Sequence, residues 1–182
     1  MNTFEKKHLT EIVLYILNKT HGLDYYHVFK VIYFANLSML TKWGMKLVED
    51  TFCALPDGPV PSSLYDCIKK DYRRDKELSD MLDASITYGT DDSYYFLTAK
   101  READTEYLSE AEMEELDKSI RENAYMPYGK LREKSHGVEW QRAYNSSGRK
   151  EMNVLGMVKD VNDDKELLSY IEENLEFDKI LA

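Results

Sequence analysis

The segment Tyr25–Trp43 constrains the fold more than any other part of the sequence, because nearly every position in it is apolar. It contains Val28, Phe29, Val31, Ile32, Tyr33, Phe34, Ala35, Leu37, Met39 and Leu40. A helix without a polar face must be surrounded by other elements. Its most apolar part, residues 28–40, is shorter than the roughly 20 residues that a membrane span needs. The sequence therefore predicts a central helix that begins after Asp24, a good N-cap residue, and ends at Gly44.

Hydrophobic spacing and capping signals predict further helices around this one. Leu9, Ile12, Val13, Ile16 and Leu17 recur every three or four residues, as in an amphipathic helix. A capping box at Ser109–Glu112 opens a helix that runs to about Tyr125. Ser62 or Ser63 is expected to cap a helix that ends near Tyr72. A last helix is expected from about Asp163 to Asn174.

A small β-hairpin is predicted among these helices. Its strands are Ser85–Tyr88 and Tyr94–Thr98, which are rich in β-branched and aromatic residues, and Gly89–Asp92 forms its turn. The predicted fold class is therefore mainly α, of the α+β type. We expect a compact helical domain around the central apolar helix, with the hairpin as its β element.

The charge balance limits the partners that such a chain can bind. It has 24 Lys and Arg residues against 34 Asp and Glu residues, a net charge of −10. This balance argues against nucleic acid as the main partner, because phosphate binding needs clustered cations. Basic residues at 69–76 alternate with acidic ones, as on a solvated helix surface. The N-terminal residues lack the apolar core of a secretory signal, so we expect a cytoplasmic protein without membrane contact.

Signatures of common catalytic and metal sites do not occur in the sequence. It contains no phosphate-binding loop, dinucleotide fingerprint, zinc-protease motif or nucleophile elbow. His8, His21 and His27 are not spaced as metal ligands on one helix face, and Cys53 and Cys67 form no C-x-x-C pair. We therefore expect no catalytic residue, no metal and no cofactor.

His136 is the histidine with a candidate chemical role. An imidazole exchanges protons near neutral pH, so His136 would act as a general base if Glu133 or Glu139 oriented it. Alternatively, His136 forms hydrogen bonds between segments while Trp140 packs into the core. A single histidine without a recognisable partner favours this second interpretation.

Tyrosine is unusually abundant, with 14 residues against six phenylalanines and two tryptophans. Tyr88, Tyr94 and Tyr95 lie on the predicted hairpin. Tyrosine is enriched at protein interfaces because it offers a large contact area at a small entropic cost. These three residues therefore either bind a partner or pack against the helices, and the sequence does not decide between the two.

The segment Pro56-Asp57-Gly58-Pro59-Val60-Pro61 follows a short extended run, Thr51–Leu55. Proline fixes φ and has no backbone N–H, whereas glycine permits positive φ. Three prolines and one glycine within six residues break a helix or a central strand. The segment is therefore predicted to be a rigid, shaped turn.

The order of these motifs resembles the SocA-like antitoxin family, also called the Panacea domain, which includes phage-associated GepA-like proteins. The resemblance extends over about residues 9–145 and is most specific in Ala54-Leu55-Pro56-Asp57-Gly58-Pro59-Val60-Pro61. The positions that match the family pattern are Lys30, Tyr33, Pro56, Gly58, Pro59, Pro61, His136 and Trp140. Asp57 stands where an aromatic residue is common. We accordingly expect a family domain over residues 1–150 and a helical extension packed on it over residues 151–182.

The resemblance implies a mainly helical antitoxin that binds a protein toxin and neutralises it by direct contact. A further implied role is that of an adaptor that presents the toxin to a AAA+ protease. The family supplies no established catalytic residue. The alternatives are a phage-associated protein with another role and a hydrolase that uses His136.

Overall fold

A computed structural model describes residues 1–89 and 95–181, without the side chains of 178–181. The α-helices are α1 (Thr3–Thr20), α2 (Tyr25–Trp43), α3 (Ser62–Ile68), α4 (Lys76–Ser85), α5 (Glu110–Asn123), α6 (Tyr128–Ser135), α7 (Val138–Tyr144), α8 (Val154–Lys159) and α9 (Lys165–Leu181). The strands are β1 (Leu23–Asp24), β2 (Phe52–Leu55), β3 (Gly58–Pro61), β4 (Ile86–Tyr88) and β5 (Phe96–Ala99), and residues Thr105–Tyr107 form a 3₁₀ turn. This architecture confirms the predicted class, mainly α with a small β component.

Helix α2 has the predicted bounds and lies at the centre of the structure. Asp24 caps its N-terminus by accepting a hydrogen bond from the His27 N–H, and Gly44 ends it in a left-handed conformation. Helix α5 packs along α2, and hydrogen bonds and the ion pairs of Lys42 with Glu114 and Glu115 tie them together. The Ser119 hydroxyl donates to the Val31 carbonyl at 2.7 Å, and the Ser38 hydroxyl donates to the Glu115 carboxylate at 2.5 Å. The other faces of α2 contact α1, β1, β3 and α8.

The predicted hairpin is part of a three-stranded antiparallel sheet with the order β1-β5-β4. Strands β4 and β5 were expected, and their register pairs Ile86 with Ala99. Strand β1, which pairs Leu23 with Leu97, was missed because two residues are too few to show a period-2 pattern. The predicted turn at 89–92 lies mostly outside the described residues, as does Tyr94.

The expected start of α3 was wrong. Neither Ser62 nor Ser63 caps the helix, and Pro61 holds the N-cap position without a side-chain hydrogen bond. The capping group is instead the buried carboxylate of Asp50, which accepts hydrogen bonds from the backbone N–H groups of Ser63 and Leu64, each at 3.0 Å. The helix also ends at Ile68, not near Tyr72, because Lys70 takes a positive φ that stops it.

The C-terminal residues form two helices that pack on the end of α2. Leu40, Val158 and Ile171 form a small buried cluster that joins α2, α8 and α9. Helix α9 is longer than predicted, and α8 was not predicted, because six residues carry little periodic signal. No helix in the described part of the chain is both long and apolar enough to cross a membrane.

His27 connects the start of α2 to the segment after α5. Its Nδ1 lies 2.6 Å from an Asp24 carboxylate oxygen, and its Nε2 lies 2.9 Å from the Met126 carbonyl oxygen. Both neighbours are acceptors, so both ring nitrogens carry a proton in this arrangement. Burial alone would lower the pKa of His27, but the Asp24 carboxylate and the Met126 carbonyl outweigh it and raise the pKa.

The charged form of His27 should therefore stabilise the fold. A raised folded-state pKa gives stability that is fully present below the unfolded pKa of about 6.5 and is lost as the pH rises through the folded pKa. We expect His27→Gln to lower the free energy of unfolding more at pH 5.5 than at pH 8.5, as measured by urea denaturation. In an Asp24→Asn background most of this pH dependence should disappear. An equal effect of His27→Gln at both pH values would contradict the assignment.

Candidate functional site

The motif-bearing segment folds into an antiparallel hairpin of β2 and β3, with Pro56 and Asp57 at its turn. The part from Gly58 to Pro61 was predicted as turn and is a strand. Its register places Pro59 opposite Ala54, whose N–H donates away from β3, to the Lys150 carbonyl at 2.8 Å. The pair of Pro59 and Ala54 therefore uses no N–H group of Pro59, and a strand tolerates proline at such a position.

Lys30 of α2 reaches this hairpin from the core. Its side chain is fully buried, and its Nζ donates to the Pro59 carbonyl at 2.7 Å and lies 5.0 Å from the centre of the Tyr26 ring. Burial lowers the pKa of Lys30 to about 7, although the negative charge of Asp57 opposes this effect. The hydrogen bond to the Pro59 carbonyl is therefore the contact that holds this buried amine in place.

Gly58 allows Lys30 to approach the hairpin. Its φ is +102°, a conformation that residues with a Cβ rarely adopt. A Cβ at this position would lie 2.5 Å from the Ser135 hydroxyl oxygen and 2.8 Å from the Lys30 amine. Glycine is therefore required here for two reasons, the backbone conformation and the available space.

Two further side chains hold the hairpin turn through its carbonyl groups. The Arg132 guanidinium of α6 donates to the Pro56 carbonyl at 3.2 Å, and the Trp140 indole N–H of α7 donates to the Leu55 carbonyl at 3.1 Å. Lys30, Arg132 and Trp140 thus bind three carbonyls of one hairpin from three different helices. We call these three residues the hairpin clamp.

His136 lies beside the clamp with its ring stacked on Trp140. The ring centres are 3.5 Å apart and the planes differ by 9°, and Trp140 stacks in turn on Tyr144. Burial, followed by the positive charges of Arg132 and Lys30, lowers the pKa of His136 to about 4. Its Nε2 is buried and has no hydrogen-bond partner among the described residues.

This arrangement gives His136 little support as a general base. The Glu139 carboxylate is bound by Arg142 and by the Asn153 N–H, so it does not orient the imidazole. A base with a pKa near 4 is also poorly matched to proton transfer at neutral pH. Across residues 1–89 and 95–181, moreover, His, Cys, Asp and Glu side chains form no group that could hold a metal ion. The geometry supports a packing role for His136.

The structure therefore brings together most of the residues that the sequence analysis predicted to match the family pattern. Lys30, Pro56, Gly58, Pro59, His136 and Trp140 meet at the hairpin clamp. Tyr33 is buried one turn after Lys30 against Phe52, the residue that pairs with Pro61. Arg132 was missed by the sequence analysis, since a charged residue in a polar helix gives no sign that it binds a distant carbonyl.

The hairpin tyrosines lie elsewhere, beside α3. The Lys69 amine lies over two adjacent rings, 5.0 Å from the centre of Tyr25 and 4.9 Å from that of Tyr95. Tyr25, Lys69 and Tyr95 are named here the tyrosine face. Tyr88 is engaged differently, because its hydroxyl donates to Asp83 and its ring lies under Lys70. Of the two predicted contact residues that the structure describes, Tyr95 is exposed and Tyr88 is half-buried.

Comparison with known families agrees with this geometry. The model of the family described as Antitoxin SocA-like, Panacea domain, matches residues 28–141. The chain belongs to this family. The matched region begins in α2, contains the whole β2–β3 hairpin and ends just after Trp140, so it includes the hairpin clamp. No curated protein and no solved structure matches the chain significantly.

The close approach at Gly58 predicts a large effect of substitution there. Gly58→Val should lower the free energy of unfolding by roughly 2 kcal/mol or more, because it adds backbone strain to a steric clash. Gly129→Ala is the matched control, since nothing lies within 4 Å of its added Cβ and alanine favours helix α6. Thermal and urea denaturation measure the stability of both variants. If the Gly58→Val protein is as stable as wild type, the close approach of Lys30 and Ser135 to Gly58 is refuted.

The lowered pKa of Lys30 predicts a specific pH dependence. Between about pH 7 and pH 10, residue 30 binds more protons in the unfolded chain than in the folded one. The free energy of unfolding of wild type, minus that of Lys30→Met, should therefore rise with pH over that range. Lys19→Met is the control, because hydrogen bonds to Tyr15 and Asp117 raise the Lys19 pKa and place its transition at higher pH. A constant difference between wild type and Lys30→Met from pH 7 to pH 9.5 would show that the amine stays charged.

Proposed function

We propose that this protein is an antitoxin that binds a protein toxin in the cytoplasm and neutralises it by direct contact. The observation that carries the proposal is the family match over residues 28–141. The hairpin clamp is consistent with it, because Lys30 and Trp140 hold a backbone segment in place. A protein that works by contact needs such a fixed framework more than it needs a reactive group.

The tyrosine face is the contact surface that we assign to the toxin. The Tyr95 side chain is 39% exposed, and the Lys69 amine lies over the rings of Tyr25 and Tyr95. Lys69 makes no ion pair with any carboxylate in the part of the chain that the structure describes. Tyrosine is enriched among the residues that contribute most to protein interfaces, and a lysine over its ring adds a cation–π attraction.

The test is coexpression with a small growth-inhibiting protein encoded next to this gene. Wild type should restore growth and form a complex with that protein. Tyr95→Ala should weaken the complex by about tenfold, the usual cost of removing an aromatic contact at an interface. Tyr125→Ala removes an exposed ring from the segment after α5 and serves as the control. If wild type neither restores growth nor forms a complex with that protein, the proposed function is refuted.

The same cells also test the adaptor role. If the protein presents its toxin to a AAA+ protease, the half-life of the toxin should shorten when antitoxin and protease are both present. Neutralisation by contact alone predicts that the toxin half-life stays unchanged when the protease is present. It also predicts that growth is still rescued in a strain that lacks the protease. The hydrolase alternative has less support, because the carboxylate of Glu139 is bound by Arg142 rather than by His136.

A further inference from the structure

A groove of about 400 Å³ opens on the outer face of the β2–β3 hairpin, next to α3. Strand alternation explains its apolar part, because Phe52 and Ala54 point into the core while Cys53 and Leu55 point away from it. Val60 stands opposite Cys53 and shares that face. The groove is lined by Cys53, Leu55, Val60, Ser62, Tyr65, Asp66, Arg73, Arg149, Lys150 and Glu151. We call it the hairpin groove.

The charged residues of the hairpin groove are three cations, Arg73, Arg149 and Lys150, and two carboxylates, Asp66 and Glu151. The groove is therefore cationic by one charge, in a chain whose net charge is −10. The Arg149 side chain is 88% exposed, and its ion pair with Glu151 is long at 3.4 Å. The Lys150 amine donates to the Tyr144 carbonyl and lies over the Tyr144 ring, with no carboxylate partner in the described ranges. Arg73 is paired with Asp71 at 3.0 Å.

The position of the groove links it to the hairpin clamp. The strands that form its apolar part are held from behind by Lys30, Arg132 and Trp140. A surface that is already ordered loses little conformational entropy when a partner binds. The groove is therefore a preformed surface, and α3 separates it from the tyrosine face by one turn, from Tyr65 to Lys69.

We propose that the hairpin groove binds a segment of the toxin in which an aliphatic or aromatic side chain is flanked by Asp or Glu. This inference rests on the proposed function and names the part of the toxin that is recognised. The apolar residues Leu55 and Val60 accept the apolar side chain, and the cations beside them attract the carboxylates. A nucleic acid fits less well, because it would bring phosphates to apolar strand residues and face the negative charge of the rest of the chain.

The first experiment reverses the charge of the groove without touching the core. Arg149→Glu combined with Arg73→Glu should weaken toxin binding by tenfold or more, measured by calorimetry at low salt, and the loss should shrink as salt increases. Arg121→Glu on α5 is exposed and should change affinity less than twofold for each charge reversed. If the double variant binds with wild-type affinity, the toxin does not bind in the groove, and the proposed function is unaffected. No binding by wild type overturns both.

A second experiment uses the native protein, so it does not depend on a variant that folds. Cys53 lines the groove and is half-buried, whereas Cys67 is fully buried and serves as the internal reference. Saturating toxin should slow alkylation of Cys53 by N-ethylmaleimide at least fivefold, as followed by mass spectrometry. Burial raises the pKa of the Cys53 thiol, so the reaction is run at about pH 8.5. An unprotected Cys53 in the complex overturns the inference, and equal protection by a single-stranded oligonucleotide overturns it in favour of nucleic acid.

Discussion

The hydrogen bond from the Lys30 amine to the Pro59 carbonyl fixes the relation between the central helix and the hairpin. An amine inside a protein is costly unless it is hydrogen-bonded, so neither partner can move without exposing or stranding a polar group. The bond also requires the backbone of Gly58 to pass close to the amine, which explains why the turn contains glycine at this position. The rest of the site is arranged around this one contact.

Arg132 and Trp140 extend the same principle to the carbonyls of Pro56 and Leu55. The hairpin has two prolines in β3 and a third at its turn, so it has few N–H groups for a ladder, and side chains that bind its carbonyls add to its stability. Side chains from α2, α6 and α7 supply these donors. Lys30 and Trp140, two of the positions predicted from the resemblance to the family, thus help to hold a rigid backbone segment.

Local signals predicted α2 with both of its caps and the capping box of α5, because these depend on residues a few positions apart. The start of α3 depends on Asp50, 13 residues before Ser63, and could not be inferred from spacing. The resemblance to the family named the residues of the site, but not their arrangement. The clamp contact of Arg132 arises only when α6 meets the distant residue Pro56, and the stacking of His136 on Trp140 depends on the angle between α6 and α7, which spacing does not give.

The cap that Asp50 provides to α3 has a consequence for engineering. The loop before β2, the hairpin itself and the first turn of α3 depend on one another through this carboxylate. Exchanging the hairpin alone between relatives would join a foreign strand to a helix start whose capping group belongs to another sequence. A chimera between family members should therefore transplant residues 50–64 as a single block, and its residue at position 30 should be one that can donate to the carbonyl of the transplanted turn.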